Sequence, residues 1–536
     1  MRTLVIGLDG ACLSVLDPML DDGLLPNISA VRSSGVVAPL ESQLPPWTPS
    51  AWPSLYTGVN PGKHGVYDFL RFEGYDWDVV NRSHVKEFAV WELLSDAGYS
   101  SVVVNVPVTG PPREFDGALV PGYTSPEAPD CHPEGVWDDL VDEIGEYKLY
   151  NVSMGQGASE RERKRGYGEL TRMRGAAFRY LVEEYDPEFG FVQFQQTDTV
   201  FHDFPGDREI ARRVYDDVDA EIGEILETCD PDVVLLVSDH GIGPMAGYEF
   251  RTNDYLRDQG YLTTTATGGG MPSWKSISRK RLQEGEYGGE VDRTAGERAL
   301  EYLARIGLTS QRIGAVVERL GLEEVVLRVV PSDLIRAGTE QVDFPSSVAY
   351  MRARTELGIR LNLEGREPEG VVGEDEYDSV REELIEVLER VETPDGDAVF
   401  ERVCRREEVF DGPYLEDAPD IITVPTDFEH FLVANVKGEY FGEPTEPWEH
   451  KLDGVMMVTG DGIDEQRSLG YPHLFDVTPT ILATFGLAVA ERMDGEPVAV
   501  VEPTGREEYP RFEPEKAVTM DDGDVERRLA DLGYLE

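Results

Sequence analysis

The sequence predicts an α/β fold, a three-layer α/β/α sandwich around a mostly parallel central sheet with an inserted cap region. Short apolar runs rich in β-branched residues recur along the chain, and the segments between them carry apolar residues at helical spacing. A continuous apolar run is typical of a strand that is buried on both faces of a parallel sheet. Ligands bind such sheets at the carboxyl ends of the strands, so polar residues that follow a predicted strand are candidate site residues.

The strands and helices of this fold can be assigned in chain order. The predicted strands are residues 4–8, 102–106, 191–194 and 233–237. The predicted helices are residues 170–181, 210–225 and 377–391, where apolar side chains fall on one helical face. Because helical and strand patterns alternate along the chain, we expect helices to cover both faces of the sheet.

Changes in composition divide the chain into a core and an insertion. We predict a core of residues 1–260 and 344–500, an inserted cap of residues 261–343, and a C-terminal tail of residues 501–536 that ends in a short helix. The cap is predicted because consecutive glycines at 268–270 and a basic cluster at 279–281 interrupt the pattern. An alternative is that this segment continues the helical layer of the core.

The charge of the chain is strongly acidic. Lys and Arg total 49 against 104 Asp and Glu, which gives a net charge of −55. The acids are spread along the chain, so we interpret them as a solvated surface, which would be tolerated in strong salt because the Debye length falls to about 3 Å at 1 M. This predicts a halophilic source. The same charge disfavours nucleic-acid polymers and anionic lipid as partners.

Cysteine spacing and hydropathy restrict the location of the protein. The chain has 4 cysteines with no CxxC spacing, which indicates neither a disulfide framework nor a zinc knuckle. No segment reaches the roughly 18 apolar residues of a membrane span. The apolar run at the N-terminus is too short for a signal peptide and is interrupted by Asp9. We therefore expect a cytoplasmic protein.

Two features of the N-terminal part carry candidate site residues. Asp9 ends the first predicted strand and is followed by Gly10, which makes its carboxylate a candidate ligand or, alternatively, a helix N-cap. Thr48 lies in a proline-rich stretch just before a helix-like segment. Backbone N–H groups at a helix N-terminus favour an anion or an alkoxide, although capping hydroxyls in a loop would give the same pattern.

Further candidates follow two other predicted strands. Asp198 and His202 lie four residues apart after the strand 191–194, so on a helix they would share one face and could hold one cation. Asp239 and His240 follow the strand 233–237 directly. Since the chain has only 8 histidines, their occurrence at strand ends indicates a metal site.

As an ordered set, these motifs resemble the alkaline phosphatase superfamily and, within it, the prokaryotic branch of the type I phosphodiesterases/nucleotide pyrophosphatases. Thr48 lies nine residues before Thr57, and a Pro-Gly-Lys-His-Gly stretch follows at 61–65, as in the nucleophile region of that family. Residues 358–370 are similar to a segment of this branch, Glu449-His450 resembles the late ligand histidine, and residues 476–482 resemble the closing helix.

The resemblance implies two divalent ions, Zn²⁺ or alternatively Mn²⁺, and Thr48 as the nucleophile. It assigns Asp9, Thr48, Asp239 and His240 to one ion and Asp198, His202 and His450 to the other. The implied reaction is hydrolysis of a small-molecule, glycan or lipid phosphoester, preferably a diester, through a phospho-threonine. A phosphomonoesterase, a phosphotransferase or mutase, and a binding protein without activity are the alternatives.

Substrate contacts are assigned within the segment 358–370. Asn362 and Arg366 are candidates, and the planar guanidinium of Arg366 could bind an anionic group bidentately. An ion pair between Arg366 and its acidic neighbours is the alternative. The remaining histidines are interpreted as structural or surface residues: His64, His84, His132, His430 and His473.

Two departures from the family pattern bear on the substrate. Phe69 stands where nucleotide-cleaving relatives carry an asparagine that contacts a phosphoryl oxygen. Ser50 and Trp52 stand where sulfatases need Pro and Arg after the nucleophile. The second departure disfavours sulfate ester hydrolysis.

Overall fold

A computed structural model of the protein describes residues 1–150, 160–265 and 341–513. Most of the predicted cap and the predicted C-terminal helix lie outside these ranges. The strands are β1 (Thr3–Leu8), β2 (Gly35–Glu41), β3 (Leu70–Glu73), β4 (Asp76–Val79), β5 (Ser101–Val104), β6 (Gly117–Val120), β7 (Phe189–Phe194), β8 (Val233–Val237), β9 (Gly241–Pro244), β10 (Glu249–Arg251), β11 (Thr264–Thr265), β12 (Gln341–Val342), β13 (Ala349–Tyr350), β14 (Gly358–Leu361), β15 (Phe400–Arg405), β16 (Ile421–Pro425), β17 (Phe431–Val433), β18 (Phe441–Gly442), β19 (Trp448–Lys451), β20 (Asp453–Gly460), β21 (Val489–Ala490) and β22 (Arg506–Glu507).

The α-helices follow most of the predicted helical patterns. They are α1 (Leu13–Asp21), α2 (Pro26–Ser33), α3 (Thr48–Thr57), α4 (Pro61–His64), α5 (Val90–Asp96), α6 (Val136–Ile144), α7 (Glu160–Tyr185), α8 (Gln196–Asp203), α9 (Arg208–Cys229), α10 (Thr252–Asp258), α11 (Tyr377–Glu389) and α12 (Val477–Thr484). No helix of the described residues is both long enough and apolar enough to cross a membrane.

A seven-stranded sheet forms the centre of the molecule, in the order β2-β20-β8-β1-β7-β5-β6. All neighbours from β8 to β6 pair in parallel, whereas β20 runs antiparallel to both β2 and β8. Every residue of β1, β7 and β8 is buried, as continuous apolar runs predict. The predicted fold class, with its mostly parallel sheet, is confirmed.

Side-chain alternation along the strands produces the outer layers. Leu4 and Ile6 of β1 pack in one core with residues of α7 and α9, such as Phe178. Val5 packs in a second core with Trp52 of α3 and residues of α12. Because successive side chains of a strand point to opposite faces, this central sheet needs helices on both sides.

Smaller sheets extend the core beside the carboxyl ends of the central strands. An antiparallel sheet has the order β13-β14-β16-β15, and β9 pairs with β19 as a separate ribbon. In that ribbon His450 lies opposite Ile242, close to the residues that follow β8. The ribbon therefore brings a distant part of the chain to the edge where ligands are expected.

Short two-stranded pairings lie at the borders of the predicted cap and tail. β11 pairs with β12, with Thr264 opposite Val342, so the chain leaves and re-enters the core at adjacent positions. This arrangement is what an insertion requires, and the domain division itself stays a prediction. The first part of the tail is tied to the core because β22 pairs with β21.

Candidate metal centre

The central sheet brings the predicted ligands together. Asp9 follows β1, and Asp239 and His240 follow β8, while α8, which carries Asp198, follows β7. β1 lies between β7 and β8 and is parallel to both, so their carboxyl ends meet at one edge. We call the set at this edge the metal cluster: Asp9, Thr48, Asp198, His202, Asp239, His240 and His450.

Thr48 is the first residue of α3, and its side chain reaches into the metal cluster. Its Oγ1 lies 3.4 Å from Asp9 Oδ1 and 3.4 Å from His240 Nε2. Asp239 Oδ2 lies 3.3 Å from the same His240 nitrogen. These four residues, which the resemblance assigns to one ion, thus lie around one point with the Thr48 hydroxyl among them.

A second group of donors adjoins the first. The Nε2 atoms of His202 and His450 are 3.1 Å apart, and Asp198 Oδ1 lies 3.4 Å and 3.7 Å from them. Asp198 and His202 share one face of α8, as their spacing predicts. Asp198 also belongs to a group with Asp9 and His240 whose ligand atoms lie within 4.8 Å of one another. Its carboxylate therefore lies between the two sets.

Backbone carbonyls set the tautomers of two of the histidines. The Nδ1 atom of His240 lies 2.9 Å from the carbonyl oxygen of Gly241, and Nδ1 of His450 lies 2.9 Å from that of Pro46. A carbonyl can only accept, so each Nδ1 carries the proton and donates it. The Nε2 lone pairs are then available inside the cluster, which is the arrangement typical of metal-binding histidines.

The Asp9 carboxylate is held by residues that the sequence analysis did not identify. Gln193 Nε2 and Trp52 Nε1 donate to Asp9 Oδ2 at 2.6 Å and 3.1 Å. Gly7 makes this possible, since a Cβ there would lie 2.6 Å from the Trp52 ring. These bonds leave Oδ1 turned toward Thr48. An available signal was the polar Gln193 inside the otherwise apolar strand β7.

Two carboxylates of the cluster, Asp9 and Asp239, lack sufficient positive partners among the described residues, whereas Asp198 pairs with His202. Burial, together with the charges of Asp239 and Asp198, raises the pKa of Asp9 well above its ordinary value. Burial also raises the pKa of Asp239 to about 6. Asp239 Oδ2 is buried without a hydrogen-bond partner among the described residues. Such atoms are costly unless a cation binds them, and a mixed carboxylate and imidazole set suits Zn²⁺.

The histidines of the second group differ in protonation. Burial, together with nearby His240, lowers the pKa of His450 to about 3, so the ring is neutral and able to bind a metal. Burial also opposes the charge of His202, but Asp198 raises the pKa of His202 to about 9. A metal that binds His202 would therefore displace a proton.

Glu449 supports this group from outside. Its Oε1 lies 3.6 Å from His450 Nε2, and its Oε2 accepts a hydrogen bond from Arg354 at 2.7 Å. Burial would raise the pKa of Glu449, but Arg354 and the neighbouring histidines hold it at about 2. In the sequence Glu449 stands out only as the neighbour of His450, and no motif points to Arg354.

The predicted substrate residues lie elsewhere. The buried Asn362 amide donates to backbone carbonyls of Phe344 and Ser347, at 3.1 Å and 2.9 Å. Arg366 donates to both carboxylate oxygens of Asp420 at 2.7 Å. The ion pair that the sequence leaves open for Arg366 is therefore present. A role of Asn362 and Arg366 in substrate binding stays a prediction, and these contacts favour a structural role.

The fold of the chain is similar to that of solved phosphonate- and phosphate-ester hydrolase structures. It is similar to the phosphonoacetate hydrolase of Sinorhizobium meliloti in complex with phosphonoformate, with 15% identity, a TM-score of 0.53, and coverage of 89% of this chain and 94% of that one. It is also similar to wild-type alkaline phosphatase PafA, with 12% identity, a TM-score of 0.52, and coverage of 93% and 98%. At such low identity these likenesses establish the fold alone, which is alkaline phosphatase-like.

The family follows from the sequence. Residues 3–320, more than half of the chain, match the family described as type I phosphodiesterase / nucleotide pyrophosphatase. The chain belongs to that family, which confirms the resemblance and indicates a phosphoester hydrolase. No curated protein matches the chain.

Proposed function

We propose that this protein is a metal-dependent phosphodiesterase in which Thr48 is the nucleophile. The observation that carries the proposal is the position of the Thr48 hydroxyl, 3.4 Å from both Asp9 and His240 at the N-terminus of α3. Family membership supports the reaction class. The buried Asp239 oxygen without a hydrogen-bond partner in the described part of the chain and the raised pKa of Asp9 support the requirement for cations.

The cluster would hold two divalent ions, Zn²⁺ in preference to Mn²⁺. Asp9, Thr48, Asp239 and His240 are the ligands proposed for one ion, and Asp198, His202 and His450 for the other. Bound ions of this kind stabilise the entering and leaving oxygens of an in-line displacement. The His240 and His450 tautomers prepare the site, because both Nε2 atoms already face it.

The reaction would proceed in two displacements. Thr48 loses its hydroxyl proton to solvent, and its Oγ1 forms a bond to phosphorus. The bond from phosphorus to the leaving oxygen breaks, and that oxygen takes up a proton as the alcohol departs. Water then attacks the phospho-threonine, releases the phosphorylated product and restores Thr48. The positive end of the α3 helix dipole, at Thr48, favours the anionic phosphoryl group throughout.

The experiment is a substrate panel with the purified protein in high salt, loaded with Zn²⁺ or Mn²⁺. We expect hydrolysis of aryl phosphodiesters that exceeds hydrolysis of the matched monoesters and is lost with a chelator. A preference for monoesters would favour the phosphomonoesterase alternative. Transfer of the phosphoryl group to an added alcohol, with little free product, would favour a phosphotransferase. Activity that survives complete metal removal would contradict the proposal.

A further inference from the structure

A small, partly open recess adjoins the metal cluster. His450 forms part of its wall, and so does Trp47, the residue that precedes Thr48. Because two of its wall residues adjoin Thr48 and the metal cluster, this recess is a candidate site for a group attached to a phosphorus atom at Thr48. Its other walls include one guanidinium, one imidazole and two aromatic rings, those of Arg354, His430, Phe428 and Phe431.

Arg354 has hydrogen-bonding capacity left in the recess. Its Nη1 donates to Glu449 Oε2 at 2.7 Å, and its guanidinium carbon lies 4.5 Å from the centre of the Phe431 ring. About a third of the side chain, 35%, remains exposed. Stacking on Phe431 holds the guanidinium plane in place while its remaining N–H groups stay available for a ligand.

The other polar groups of the wall are donors as well. His430 Nδ1 accepts a hydrogen bond from the Tyr248 backbone N–H at 3.1 Å, so the neutral ring carries its proton on Nε2. The indole N–H of Trp47 is buried without a partner among the described residues. Glu449 is the acidic residue among those lining the recess, and Arg354 already pairs with it. The wall therefore offers several side-chain donors, and its one carboxylate is already paired.

We propose that this recess binds an anionic substituent, a carboxylate or a phosphate, carried by the organic group of the phosphoester substrate. Arg354 and His430 are its donors, and Phe428 and Phe431 contact the linking carbon atoms. A chain with a net charge of −55 repels anions over most of its surface, so a recess lined by donors is an exception. This inference rests on the proposed function, because it assumes that the phosphoryl group binds at Thr48.

Calorimetric binding to the metal-loaded protein tests the recess without requiring turnover. The ligands are propylphosphonate, 4-phosphonobutanoate and propane-1,3-bisphosphonate, which share a three-carbon chain and differ in its end group. We expect one or both of the anionic ligands to bind at least about tenfold more tightly than propylphosphonate, since a hydrogen bond to a charged group has that effect. The preferred end group then distinguishes a carboxylate from a phosphate.

Variants assign the effect to the proposed donors. Arg354→Gln should lower the affinity for the ligand with the preferred anionic end group, relative to propylphosphonate, by about tenfold, and His430→Phe should lower this ratio by about threefold. Arg354→Lys should retain part of the preference. The ratio cancels any general damage to the metal cluster through Glu449. Arg390→Gln is the matched control, because Arg390 pairs with Glu386 on the exposed face at the end of α11.

The failures of the two proposals are distinguishable. Equal affinity for the three ligands, or an unchanged ratio in both Arg354→Gln and His430→Phe, would overturn the recess assignment even if diesters are hydrolysed. Absence of diester hydrolysis by the metal-loaded protein would overturn the proposed function, and the binding ratio would still decide the assignment of the recess.

Discussion

Two regions of this molecule bury several charged groups, and they balance the charge in opposite ways. The first is the metal cluster. The second, which we call the arginine cluster, lies beside the antiparallel sheet and consists of Arg360, Arg366, Glu367, Arg406 and Asp420. Both contain carboxylates from which water is excluded. Only the second contains its own arginines.

In the arginine cluster every charge has a neighbour of opposite sign. Asp420 accepts hydrogen bonds from Arg366 at 2.7 Å and from Arg406 at 3.1 Å. Arg360 donates to Glu367 at 2.8 Å. Burial would raise the pKa of Asp420, but these arginines hold it below its ordinary value. The two carboxylates of the arginine cluster therefore need no further cation.

In the metal cluster, by contrast, the same burial raises the pKa of Asp9 well above its ordinary value, because its nearest charged neighbours include Asp239 and Asp198. Buried carboxylates that are paired with arginine side chains of the same protein have a structural role. Buried carboxylates without such basic partners indicate that a cation from solution binds there. The comparison therefore separates a structural network from a binding site by charge balance.

Removal of the Thr48 hydroxyl should have the largest effect. We expect Thr48→Ala to lower kcat by more than about 1,000-fold, as losses of a catalytic nucleophile do, while the protein stays folded. Ser50→Ala is the control, because Ser50 Oγ bonds to the Pro45 carbonyl oxygen at 3.1 Å. Steady-state kinetics and circular dichroism provide the measurements. Loss of activity in the Ser50 variant alone would reassign the nucleophile.

Removal of a proposed metal ligand should have the second largest effect, a loss of bound metal. We expect His450→Ala and Asp239→Ala each to lose about one ion per chain, from different sites, because each removes a ligand of one proposed set. Asp198→Ala should lose more, since its carboxylate lies between the sets. Elemental analysis of the purified variants measures this. Full metal content in His450→Ala would show that the segment 449–450 has been misassigned.

A change in the arginine cluster should affect stability instead. Arg366→Gln removes a partner of buried Asp420, and breaking such a pair costs up to about 3–5 kcal/mol. We expect a lower free energy of unfolding in urea, with unchanged metal content and equal effects on anionic and activated aryl substrates. A selective rise of KM for the anionic substrate would instead show that Arg366 binds substrate.

Salt should have the smallest and most general effect. With 104 acidic and 49 basic side chains, the folded chain repels itself in dilute buffer, and added salt screens this repulsion. We expect the melting temperature of the metal-loaded protein to rise between low salt and molar salt. A melting temperature that does not change would contradict the halophilic interpretation.

The sequence by itself determined the local parts of this protein. Apolar runs predicted strands β1, β7 and β8, and helical spacing placed Asp198 and His202 on one face of α8, because periodicity is a property of neighbouring residues. Thr48 was placed near a helix N-terminus by the residues around it, and it begins α3. The resemblance to the family predicted His450 as a metal ligand, although it lies far from Asp198 in sequence.

Only the tertiary structure decided which charges are balanced. Arg366 and Arg354 both lie near acidic residues in sequence. Arg366 is paired with Asp420, which directly precedes β16, whereas Arg354 bonds to Glu449 and stays partly exposed in the recess. Pairing over such separations depends on how the sheets pack. Sequence spacing carries no information on this, because electrostatic balance is set by distance and burial in three dimensions.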